Sequence, residues 1–127
     1  MILLPNRPNS IKPKSGIELE ISEAVALVRG EAPMQGIAKL KELEARFPEN
    51  KELNYHLGVF STVTGQYDKA VPRLVKVIEE QQYQDANVYL YQSYLGLEKN
   101  TEAQEILEKA MNGVFSKEVN ERIIQNN

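Results

Sequence analysis

The sequence predicts an all-α chain: a solenoid of three stacked helix-turn-helix units, closed by one short helix. Three observations lead there. Between short breaks, apolar residues recur at i, i+3, i+4 and i+7, the spacing of one buried helical stripe. No segment sustains the period-two alternation of a strand. Apolar positions also return 33 or 34 residues further on, so that Leu57, Ala70, Leu74 and Val77 recur as Leu90, Ala103, Leu107 and Ala110, while Leu40 and Leu43 precede Leu74 and Val77.

The elements follow in order. Residues 5–16, "PNRPNSIKPKSG", hold three prolines, which lack a helical N–H and restrict their predecessors, so residues 1–16 read as an arm or linker. Met1 to Leu4 are too few for a signal-peptide core. They fit either a plain terminus or the stub of a membrane anchor, which would make the rest a soluble piece of a membrane-anchored bacterial envelope assembly protein. No run reaches the roughly 20 apolar residues that cross a bilayer.

Residues 17–127 read as one domain. The first unit, about 17–50, breaks at "GEAP", where Pro33 suits a first helical turn, and carries the stripe Ile37, Leu40, Leu43 and Phe47. "FPEN" ends it and offers Asn50 as the next cap. The second unit, about 51–83, has Leu53, Leu57 and Phe60 before Gly65, then Tyr67, Ala70, Val71, Leu74, Val77 and Ile78. Pro72, about one turn into that helix, is expected to distort it or shift its start. The third unit, about 84–116, has Leu90, Tyr94 and Leu97, a break at "LEKN" with Asn100 as a cap, then Ala103, Ile106, Leu107, Ala110 and Met111. Val119 and Ile123 mark a capping helix over about 117–125.

The middle unit carries a leucine-glycine pair (Leu57, Gly58), a turn glycine (Gly65), an aromatic (Tyr67) and a small residue (Ala70), followed by Leu74 and Val77. The third keeps Leu90, Tyr94, Ala103, Leu107 and Ala110; the first has Ala24, Leu27, Gly36 and the closing Pro48. In these residues the chain resembles the tetratricopeptide repeat family. Asn54 and Asn87 depart from it, standing where the family has a large aromatic. The resemblance implies a right-handed superhelix whose first helices line a concave groove, and it places Tyr55, Val59, Thr62, Val88 and Gln92 on that face. Tyr89, off the main stripe of its helix, joins them as a candidate for partner binding. The basic clamp with which some members hold a chaperone's C-terminal carboxylate is missing at the matching positions, so that ligand is not expected.

Chemistry is constrained further by what the residues offer. The net charge of −3, with both signs interspersed, argues against a nucleic-acid partner. Cysteine is absent, which removes disulfides and thiol chemistry and is compatible with any compartment. His56, the only histidine, reads as an ordinary helix-surface or groove residue, and no phosphate-loop glycine pattern is present. Tyrosines gather around the third unit at Tyr83, Tyr89, Tyr91 and Tyr94, of which Tyr91 and Tyr94 fit packing between helices. The expectation is a non-enzymatic module without metal or cofactor that binds a peptide or protein partner. The alternative is a structural unit that self-associates into a homo-oligomer.

Overall fold

A computed structural model describes residues 16–126. The arm expected over residues 1–16 lies outside the described residues except for Gly16, which opens a helix. The described residues form α1 (Gly16–Arg29), α2 (Pro33–Arg46), α3 (Lys51–Val63), α4 (Tyr67–Val75), α5 (Ala86–Gly96), α6 (Asn100–Met111) and α7 (Lys117–Gln125), with a 3-10 turn at Gln81–Tyr83. No strand occurs among them, so the chain is all-α as its apolar spacing implies.

Each helix packs on the next, and the odd-numbered helices also touch in series: α1 on α3, α3 on α5, α5 on α7. Local chemistry sets the ends of the helices. Asn50 Oδ1 accepts the Leu53 N–H at 2.9 Å, and Ser116 Oγ accepts that of Val119 at 3.3 Å, each satisfying a donor that the helix start leaves open. α3, α5 and α6 all close the same way. Gly65, Glu98 and Gly113 take positive φ, and the following N–H reaches back five residues, from Gln66 to Ser61, Lys99 to Tyr94 and Val114 to Lys109.

That closure corrects one expectation. Asn100 is the first residue of α6 rather than its cap, because the bond from Lys99 to Tyr94 leaves Lys99 as the last residue outside the helix. Pro72 does not shift the start of its helix. α4 starts at Tyr67, directly after the Gly65 closure, and runs through Pro72. The carbonyl that loses its donor belongs to Asp68, an exposed residue, where solvent is available to satisfy it. α4 stops at Val75, where bonds tighten to three-residue spacing, and Val77 is fully buried from a turn rather than from the helix.

The interior divides into two clusters. Ile21, Ala24, Leu40, Leu43, Leu53 and Leu57 hold α1, α2 and the start of α3. Ala70, Leu74, Leu90, Tyr91, Leu107 and Ile123, among others, hold α4 to α7. Gly58 lies at the seam, where a Cβ would come within 2.6 Å of the fully buried Leu74 side chain. Asn54 and Asn87 are buried too, and they work as donors: Asn54 Nδ2 bonds the carbonyls of Pro48 and Asn50 at 2.9 and 2.8 Å, Asn87 Nδ2 that of Gln84 at 3.1 Å. Where the resembled family has a large aromatic, an amide pins α3 and α5 each to the loop before it.

Candidate binding groove

The first two turns of α3 bring Glu52, Tyr55 and His56 to one face, because residues three and four apart share a side of a helix. Opposite them lie the connection 81–85 and the start of α7, and the space between is an open groove of about 460 Å³. Tyr83 stacks on Tyr55 with ring centroids 4.7 Å apart, and His56 meets the Tyr55 ring edge-on at 5.2 Å. These three rings form an aromatic wall.

Hydrogen bonds fix that wall to the neighbouring helices. Tyr55 Oη donates to Asp85 Oδ2 at 2.8 Å. Asp85 stands at the cap position of α5, yet its carboxylate makes no cap bond and turns to the tyrosine instead. The Ser116 N–H donates to Gln84 Oε1, joining the connection to α7. On α7, Arg122 lies over the Tyr89 ring at 5.6 Å and donates from Nη2 to Tyr89 Oη at 3.2 Å.

Three carboxylates, Glu52, Asp85 and Glu118, and one guanidinium, Arg122, line the groove. Burial and then the Asp85 carboxylate hold the Tyr55 phenol well above its ordinary range, with Arg122 acting the other way. Burial, then Glu52, Glu80 and Glu18, raise the Tyr83 phenol. Both hydroxyls therefore stay protonated at neutral pH. Lys51 answers one of these charges through a 2.8 Å bridge to Glu80.

The residues singled out by sequence separate. Tyr55 lines the groove, and Tyr89 joins its border through Arg122. Val59 and Gln92 are half-buried and do not line it. Thr62 and Val88 are interior residues, 4 % and 1 % exposed, and neither presents a side chain to a partner. The reason is that α3 packs directly on α5: Thr62 Oγ1 bonds the Gly58 carbonyl and Ser93 Oγ, each at 3.0 Å, while Val88 belongs to the larger cluster.

Asp85, Gln84, Glu118 and Arg122 were not anticipated from the sequence, and a signal for three of them was there. His56, Tyr89 and Arg122 are 33 residues apart in turn, as are Glu52, Asp85 and Glu118. Comparing surface positions at the 33-residue spacing, as well as the apolar ones, exposes both columns.

Among the described residues no group of three or more His, Asp or Glu side chains is placed to hold a metal ion, and no helix is long and apolar enough to cross a membrane. Compared with known proteins, the chain matches no family model, no curated protein and no solved structure.

Proposed function

We infer that the chain is a helix-repeat interaction module of tetratricopeptide type, three helix pairs and a capping helix, that docks a peptide or protein partner by its odd-numbered helices. One observation carries this reading: α3, the connection leading into α5, and α7 share an aromatic-walled groove whose parts lie about 33 residues apart in sequence. Tyrosine walls of this kind supply rigid contact area with a hydroxyl for orientation. The serial contact of odd helices and the recurrence of Leu57, Ala70 and Leu74 support the stacked-repeat arrangement.

The test is affinity capture from a lysate with mass spectrometry, comparing the native chain with a Tyr55→Ala, Tyr89→Ala double variant. The variant is expected to retain the helical circular-dichroism spectrum and to lose the proteins that the native chain captures. Capture that is unchanged by the two substitutions overturns the groove as the docking face.

Met111, Val114 and Ile124, all exposed at the end of the last helix pair, favour a second reading in which copies associate end to end. Sedimentation over a concentration range decides it, since a strictly monomeric chain removes this reading.

A further inference from the structure

Resting on the docking reading, we propose that the occupant of the groove is a basic, extended peptide segment, with lysine or arginine side chains laid over the Tyr55–Tyr83 wall and facing Glu52, Asp85 and Glu118. Two independent features meet there. The first is the aromatic wall, in which Tyr55, Tyr83 and His56 line an open space of about 460 Å³. The second is charge: Glu18, Glu52, Asp85 and Glu118 recur at one position of successive repeats, at the starts of α1, α3, α5 and α7.

Acidic residues at helix starts are common, because the helix dipole favours them. The carboxylates alone would therefore say little. The stacked rings are not required by any helix start, and ring faces beside carboxylates are the environment that attracts a desolvated cation. The chain supplies its own instance of the chemistry, since Arg122 lies over Tyr89 and bonds its hydroxyl in the same groove.

Spacing separates a peptide from a single ion. The carboxylates are dispersed, and no group of three or more is gathered as a metal site among the described residues. Adjacent packed helices stand roughly 8–10 Å apart, so carboxylates at equivalent places on α3, α5 and α7 repeat at about that interval. An extended polyproline-type chain presents every third side chain on one face at about 9 Å. A peptide with a basic residue at every third position therefore matches the row of helices. An acidic peptide would meet like charge along the same row.

Fluorescence anisotropy with the full chain and two labelled peptides, repeats of Pro-Pro-Arg and of Pro-Pro-Glu, tests the proposal. The basic peptide is expected to bind, weakening as salt is raised, and the acidic one not to bind. A Glu52→Gln, Glu118→Gln double variant is expected to lose roughly tenfold in affinity, the scale of two partly exposed ion pairs. A Glu105→Gln, Glu108→Gln variant, altering two exposed carboxylates of α6 away from the groove, changes net charge equally and is expected to bind as the native chain does. The proposal falls if both peptides bind alike, if neither binds, or if the two variants weaken binding equally. Partner capture that depends on Tyr55 and Tyr89 yet ignores Glu52 and Glu118 overturns the basic occupant and leaves the docking face standing.

Discussion

Glu98 is the only non-glycine residue with positive φ among the described residues, at 59°, and it closes α5 as Gly65, at 78°, closes α3. An L-residue in that region costs about 1–2 kcal/mol. Glycine recovers this but loses roughly 0.5–1 kcal/mol to its freer unfolded chain. Glu98→Gly is therefore expected to stabilise the protein by about 0.5–1 kcal/mol, read as a higher urea midpoint with an unchanged slope. Gly65→Ala is expected to shift the midpoint the other way by a similar amount, because nothing else at that position gains from a methyl group: open space surrounds the Cβ. The same closure thus tolerates either residue type, which is why the "LEKN" break was legible as a break while its left-handed residue was not.

α3 shows what holds a single element in place. Its apolar stripe and its Asn50 cap are both readable from spacing and residue type. The role of Asn54 is not, because a buried amide gives no periodic signal and only the loop folding back over it supplies the carbonyls of Pro48 and Asn50. Asn54→Asp puts a carboxylate against those two carbonyls at a site 1 % exposed. A loss of about 2–3 kcal/mol at neutral pH is expected, the scale of an unpaired buried polar group that is partly relieved by protonation. Such a carboxyl titrates higher when folded than the unfolded value of about 3.9, so the penalty is smallest below about pH 4 and grows as pH rises. Denaturation at several pH values checks both the size and the sign.

At the scale of the whole molecule, two apolar clusters meet at the seam between α2, α3 and α4, and a polar clasp crosses it. Arg73 holds Glu44 with Nε and Nη2, both at 3.0 Å, and Ser61 Oγ with Nη1 at 3.0 Å. Both ends of the ion pair are largely shielded, so it is worth more than an open surface bridge. Arg73→Ala is expected to cost about 1–2 kcal/mol. In a stacked-repeat arrangement that loss stays local to the interface it touches. Hydrogen exchange in the variant should therefore accelerate in α1 and α2, which rest on the smaller cluster, more than in α5 to α7. Uniform acceleration along the chain would show one cooperative unit instead.

The all-α class, the breaks between helices and the short last helix were written into the order of residues, because helical periodicity and turn chemistry act over a few positions. The direction each helix faces was not. Thr62 and Val88 match the positions of a groove wall, yet the packing of α3 on α5 turned them inward. The groove itself joins Tyr55, Asp85 and Arg122 from three segments some 30 to 40 residues apart. No local pattern reports such a meeting, because it depends on how far each helix is rotated about its axis when its neighbours close around it.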